Sequence, residues 1–252
     1  MKHALVTAGS KGLGRQVVES FIEKECSVTV TYHKDLEKAE SLLQRYPHHK
    51  DRIHIVQADV TKKEDIDRVM ESVMERFQRI DYLVHNAGPY IFERKKIADY
   101  TEQEWNQMIQ GNLTSVFHFY KKAIPVMREQ HFGRIITYGF QGAGSAAGWI
   151  YRGAFAAAKV GLVSLTKTIA YEEAENGITA NMVCPGNITG SMKEATIEES
   201  RRIRDEVTPI GRSGTGEDIA RIVDFLCQGN SDLITGAVID ATGGLDVIHR
   251  FR

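Results

Sequence analysis

The sequence lacks the features that would mark it for membranes, metals or nucleic acid. No apolar run approaches the roughly 18 residues that a membrane-spanning helix needs, so no membrane partner is expected. The net charge of -1 gives no pull toward nucleic acid or anionic surfaces. The basic cluster Arg201, Arg202 and Arg204 reads as a solvated helix face. There are only three cysteines, Cys26, Cys184 and Cys227. They are far apart, odd in number and without metal-ligand spacing, which suits free thiols in a reducing cytosol rather than a disulfide framework or metal site. There are no repeats, linkers or low-complexity tracts. The first strand is expected within a few residues of Met1, which argues against a signal peptide and for a cytoplasmic location.

What is present suits one α/β domain over residues 1–252. The length fits a single core, and 42% hydrophobic against 26% charged residues describes a globular chain. Ala4, Leu5 and Val6 form an apolar run too short for a helix and right for a buried parallel strand. Gly9, Gly12 and Gly14 follow. From Gly12 to Lys24 the periodicity turns helical, with Leu13, Val17, Val18, Phe21 and Ile22 on one face. Strand, glycine turn and helix N-terminus aim backbone N–H groups at an anion, usually a dinucleotide phosphate, although an ordinary strand-to-helix turn gives the same pattern. Further strands are expected at Ser27–Tyr32, Ile53–Val56, Ile80–Val84, Gly133–Thr137, Ile178–Cys184 and Ala237–Asp240, alternating with helices. The alternation predicts a Rossmann-like, doubly wound parallel seven-strand sheet with helices on both faces.

Several strand ends carry candidate site residues. At the tip of the second strand an acid would bind a ribose 2′-hydroxyl and repel a 2′-phosphate. Thr31, Tyr32, His33 and Lys34 stand there instead, with Lys11 in the glycine loop. That favours NADP(H) over NAD(H); mere solvation of both lysines is the plain alternative. Asp59 suits either an adenine amino group or the cap of the next helix. Asn86, Ala87 and Gly88 let backbone approach a ligand. Asn112 interrupts an apolar helical stretch from Glu102 to about Arg128. It reads as a kink, a satisfied buried amide or a carbonyl exposed to hold a catalytic water. Gly139 to Gly148 reads as a loop too loose to pack a core, Tyr151 to Glu175 as a long helix, and Gly190 to Val207 as a mobile flap.

Taken in order, these motifs resemble the short-chain dehydrogenase/reductase family, and especially the 3-oxoacyl-[acyl-carrier-protein] reductases, over essentially the whole chain. The resemblance is carried by Val6 and Thr7 with the glycine loop, Asp59 and Val60, Asn86 to Gly88, Asn112, Gly133 and Arg134, and Lys159. Pro185 and Gly186, Pro209 to Arg212, Glu217 to Ala220, and Gly243 with Gly244 extend it. It implies a nicotinamide dinucleotide held by Thr7, Gly9, Ser10, Lys11, Gly12, Leu13 and Gly14, with His33 and Lys34 at the ribose. Asp59, Val60, Asn86, Ala87, Gly88, Lys159, Pro185, Gly186, Ile188 and Thr189 complete the implied cofactor set. A small-molecule or acyl-thioester substrate and a homotetramer are implied as well.

The departures from the family fall at its active centre. There a Tyr protonates the carbonyl oxygen as hydride arrives, and a Lys four residues later holds the nicotinamide ribose. A Ser polarises the carbonyl, and an Asn anchors a relay water. Lys159 and Asn112 match, but the Tyr position is Phe155. The Ser position falls on Gly142 or Phe140, according to the direction of counting, and neither has a hydroxyl. Ala8 stands at the family's first loop glycine, with Gly9 beside it to compensate. Gly190 stands at the usual Thr, between Thr189 and Ser191. Tyr151, one turn before Phe155 on the expected helix, is the candidate acid; a packing aromatic is the plain alternative. Tyr138 and Ser145 are weaker candidates. The expectation is an NADP(H)-dependent reductase with Tyr151 as acid, or else a nucleotide-binding sensor or assembly protein with degenerate catalysis.

Overall fold

Successive strand residues point to opposite faces, so an all-apolar strand must be covered on both. Strand β1 (His3–Val6) shows this: Ala4 and Val6 enter one core layer and Leu5 the other, all fully buried. The structure, a computed structural model, describes residues 1–249; the last three positions of the expected 1–252 domain lie outside the described residues. After β1 come α1 (Gly12–Glu23), β2 (Ser27–Tyr32), α2 (Leu36–Arg45), β3 (Ile53–Gln57), α3 (Lys63–Phe77) and β4 (Tyr82–His85). Helix α4 (Glu102–Ile109) passes through a π-helical turn, Gln110–Thr114, into α5 (Ser115–Gln130). The rest is β5 (Gly133–Tyr138), α6 (Gly153–Glu173), β6 (Ile178–Pro185), α7 (Ile197–Arg201), α8 (Gly216–Leu226) and β7 (Val238–Ala241).

The seven strands form one parallel sheet in the order β3-β2-β1-β4-β5-β6-β7, with Val6 level with Val30 on one side and Val84 on the other. One face is covered by α1, α2 and α8 through Phe21, Leu42 and Val223. The other is covered by α3, α5 and α6 through Val69, Phe119 and Ile169. The winding reverses between β1 and β4, and the carboxyl ends of strands at such a switch point open the crevice in which these sheets bind ligands.

Two expectations need correction. Helix α6 begins at Gly153, because Tyr151 takes a left-handed φ of +63° that a right-handed helix does not pass through. Tyr151 is therefore not one turn ahead of Phe155 on the same helix. The loop from Gly139 to Gly148 does pack: Phe140 and Ala143 are buried in a core cluster with Leu162, Met182 and Cys184. The segment expected as a mobile flap, from Gly190 to Val207, has regular structure of its own. It contains a 3-10 turn, Gly190–Lys193, and the short α7, fixed by a Thr196 and Glu199 capping box with Ile197 and Ser200 buried.

Candidate active site

The glycine loop is clamped by its neighbours. Ala8 N–H donates to Thr31 Oγ1 at 2.9 Å and Gly9 N–H to the Thr31 carbonyl at 3.1 Å. Asn86 Nδ2 donates to the carbonyls of Thr7 and Ala8 at 3.1 and 3.0 Å, and Ala87 N–H to Thr7 Oγ1 at 2.9 Å. Ala8 itself takes the left-handed turn, with φ +49°, so Gly9 does not take over the missing glycine's role. Gly14 is required by close approach: a Cβ there would lie 2.5 Å from Asn86 Nδ2 and 2.7 Å from the Ala8 carbonyl. Helix α1 has no side-chain cap at Lys11 and no acid in its first turn, which leaves its N-terminus suited to a phosphate. Gly12 N–H is met by Glu194 Oε1 at 2.8 Å.

Beyond the loop, a cavity of about 240 Å³ lies at the ends of β2 and β3, bounded by Ala8, Tyr32, His33, Asp59, Val60 and Ala87. Asp59 Oδ1 accepts from Thr61 N–H at 3.0 Å and from Thr61 Oγ1 at 2.7 Å, so it ties the turn ahead of α3. Its Oδ2 stands 3.6 Å from His33 Nε2. Lys34 is exposed, and Lys11 Nζ pairs with Asp35 at 3.2 Å.

A larger cavity of about 510 Å³, within the range of small-molecule sites, lies at the ends of β4, β5 and β6. Leu13, Asn86, Gly88, Asn112, Lys159, Pro185, Gly186, Ile188 and Thr189 all line it, so expected residues from five separate segments meet there. Thr189 lines the cavity and Gly190 does not. Asn112, 1% exposed, sits in the π turn, which lets its Nδ2 reach the Pro89 carbonyl at 2.9 Å as well as that of Met108 at 3.1 Å. Its Oδ1 is buried without a partner among the described residues. Lys159, 5% exposed, carries Nζ 5.5 Å from the centre of the Phe155 ring and makes no ion pair among the described residues. Burial lowers its pKa to about 8, opposed by the Cys184 thiol. Arg152, Lys159 and Lys193 line this cavity; among the described residues no carboxylate does.

The hydroxyls are where the structure departs furthest from expectation. Of the two residues reached by counting, Phe140 lines the cavity and Gly142 does not. Phe140 stacks on Trp149 with centroids 5.3 Å apart, and Trp149 meets Phe155 edge-on at 6.0 Å, so three rings form an aromatic wall on this side of the cavity. Tyr151 lies outside the cavity, its ring 4.5 Å from the Arg94 guanidinium, and borders a separate apolar groove with Ile97 and Trp105. Ser145 is exposed and also outside. Tyr138 lines the cavity, but its Oη is buried without a partner among the described residues, and burial raises its pKa. His85 is held neutral: burial, then the Lys159 charge, lowers its pKa to about 3.

Two residues that sequence reasoning passed over occupy the opposite wall. Tyr90 follows Gly88 and Pro89 at the end of β4, and Arg152 stands at the foot of α6. Arg152 Nε donates to Tyr90 Oη at 2.6 Å. Its Nη atoms donate to the carbonyls of Glu93, Phe92 and Tyr151 at 2.6, 2.9 and 2.9 Å. The Tyr90 ring meets Phe155 edge-on with centroids 5.0 Å apart. The available signal was a phenol two residues beyond a strand-end glycine.

A glycine loop at the switch point, an asparagine on a broken helix and a buried lysine four residues after an aromatic together define an oxidoreductase of the short-chain dehydrogenase/reductase class. The chain belongs to that family: the family profile described as enoyl-(acyl carrier protein) reductase matches residues 7–246. It is 65% identical over 251 residues to the Bacillus subtilis (strain 168) protein YtkK, which bears the name of an oxidoreductase, covering 99% of this chain and 98% of that one. It is 34% identical over 248 residues to the 3-oxoacyl-[acyl-carrier-protein] reductase FabG of Staphylococcus epidermidis, with 97% and 98% covered. A solved structure described as a 3-oxoacyl-reductase from Bacillus thuringiensis superposes with a TM-score of 0.94 at 63% identity. The match covers 99% of this chain and 100% of that one.

Proposed function

We propose that the protein is an NADP(H)-dependent reductase of a small carbonyl or 3-oxoacyl thioester, with an atypical acid. The observation that carries this reading is the charge of the cavity at the ends of β4, β5 and β6, which holds Lys159, Arg152 and Lys193 and, among the described residues, no carboxylate. Such a cavity suits an anionic ligand and the negative charge that develops on a carbonyl oxygen during reduction. The residues present fit a dinucleotide: α1 starts at the switch point with no side-chain cap from Lys11, and its Gly12 N–H, which here donates to Glu194 Oε1, is a donor that a phosphate oxygen would take in that carboxylate's place. Thr7, Gly9, Ser10, Lys11, Gly12, Leu13 and Gly14 would hold its diphosphate. Asp59, Val60, Asn86, Ala87 and Gly88 would line the adenosine half, and Pro185, Gly186, Ile188 and Thr189 the nicotinamide half. Lys34, with Lys11 beside it on its Asp35 partner, supplies positive charge near the ribose, and the His33 ring adds a hydrogen-bonding group there, which supports NADP(H). When bound, the reduced nicotinamide supplies hydride. Lys159 Nζ would anchor the adjoining ribose, and Asn112 fixes the loop that carries Gly88.

The 3-oxoacyl substrate class is supported by the name of the FabG relatives. Free buried cysteines suit a cytoplasmic protein. A homotetramer joined through α5 and α6 is supported by their exposed Phe117 and Tyr171, and light scattering tests it. The reductase reading is tested by following nicotinamide absorbance with NADPH or NADH and acetoacetyl-coenzyme A. Consumption is expected, faster with NADPH. Tight NADPH binding without consumption of either cofactor would favour the sensor or assembly protein instead.

A further inference from the structure

We infer that Tyr90 is the proton donor of the site and that Arg152 positions it. The inference rests on the carbonyl-reductase reading above. Its basis is hydrogen-bond direction. Arginine has donors and no acceptor, so the 2.6 Å contact from Arg152 Nε uses a lone pair of Tyr90 Oη and leaves the phenolic hydrogen to point elsewhere. Among the described residues Tyr90 Oη makes no second hydrogen bond, and the residue lines the cavity shared by Lys159 and Asn112. The O–H is thus free to donate to a ligand oxygen there.

The guanidinium cannot swing away from this task. Its other nitrogens donate to the carbonyls of Glu93, Phe92 and Tyr151, which ties the loop after β4 to the start of α6. A fixed positive charge beside the phenol oxygen stabilises the negative charge left when the proton goes. The ring is held edge-on against Phe155, the position at which the family's own acid stands. Other cavity-side hydroxyls fit less well: Tyr138 Oη is buried with no charged partner, and Tyr151 is outside. With hydride added at the carbonyl carbon, the C=O π pair moves to oxygen and that oxygen takes the Tyr90 proton as the phenol O–H breaks. The phenolate oxygen keeps the Arg152 bond until water returns a proton.

The test uses Tyr90→Phe and Arg152→Ala in the full chain, with NADPH and acetoacetyl-coenzyme A for turnover. Calorimetry gives the affinity for NADPH, and for acetoacetyl-coenzyme A in the presence of NADP+, where nothing turns over. Tyr90→Phe is expected to lower kcat by roughly a hundredfold or more. It should weaken acetoacetyl-coenzyme A by about 2- to 10-fold, the usual worth of one hydrogen bond, and leave NADPH affinity unchanged. Added guanidinium is expected to restore part of the rate to Arg152→Ala and none to Tyr90→Phe, a rescue that a merely structural role would not show. A Tyr90→Phe protein that binds acetoacetyl-coenzyme A like the wild type overturns the assignment, whether or not the wild type turns over. A silent wild type whose binding is still weakened by Tyr90→Phe keeps the Tyr90 contact and removes the reductase reading. If Tyr90→Phe does not fold, the Arg152→Ala rescue decides, and its absence overturns the proposal.

Discussion

Replacing Lys159 by methionine tests the electrostatics of the cavity directly. The ammonium group is 5% exposed, makes no ion pair among the described residues, and has its pKa lowered by burial from an ordinary 10.5 to about 8. At about 1.4 kcal/mol per pH unit, the difference between those values is a destabilisation of roughly 3 kcal/mol. The sign follows from linkage. The folded-state value lies below the unfolded one, so the penalty is complete below pH about 8, shrinks between pH 8 and 10.5, and is absent above. Methionine fills much of the same volume without charge. Lys159→Met is therefore expected to be more stable than the wild type by up to roughly 3 kcal/mol at neutral pH, with the advantage vanishing by pH 10.5. Its affinity for NADPH should fall at the same time. Urea unfolding followed by circular dichroism across this pH range, at fixed protein concentration, makes the comparison. A variant less stable than the wild type at neutral pH, or an advantage that does not change with pH, would refute the reasoning.

Three further outcomes are expected. Ala8→Gly relieves a left-handed alanine, φ +49°, and should stabilise by about 1 kcal/mol, a rise of roughly 2–4 °C in Tm; a fall in Tm would show that the turn is not strained. Tyr151→Phe should leave kcat within about threefold of the wild type, because that ring lies against Arg94 outside the cavity; a loss of a hundredfold would return Tyr151 to the chemistry. Phe155→Tyr in the Tyr90→Phe background should recover at least about tenfold in kcat, since it brings a hydroxyl to the ring nearest Lys159 Nζ, and no recovery would mean the aromatic wall holds it away from the substrate.

The sheet was legible because its signals are local. β2 is a run of β-branched residues bounded by a helix end and a charged turn, and it forms over the expected Ser27–Tyr32. Where local signals failed, a longer-range contact had won. β4 starts at Tyr82 rather than Ile80, with Asp81 accepting from His3 N–H and the Arg79 guanidinium. The loop after β5 looked uncommitted from its glycines and alanines, yet Phe140 finds Trp149 and buries. Tyr90 and Arg152 are 62 positions apart, and only the side-by-side pairing of β4 and β5 brings their following segments together. No periodicity or spacing encodes that pair.

The pattern of what has been kept and what replaced bears on whether the site still works. A cavity released from catalytic duty gains stability by losing a buried, unpaired ammonium, and methionine or leucine at position 159 would achieve that. Lys159 stands beside the ring of Phe155, in a cavity that Phe140 also lines. A packed aromatic wall beside a buried, destabilising cation is not what a plain core would hold. It fits a site in which the cation still has a ligand to hold and the proton has a different source. Arg152, fixed by three carbonyls and one phenol oxygen, provides that source with a rigid mount on the facing wall. On the proposed reading the aromatic wall and the Tyr90–Arg152 pair divide the work of one cavity: Lys159 holds the ligand beside the rings, and Tyr90 gives the proton from the facing wall.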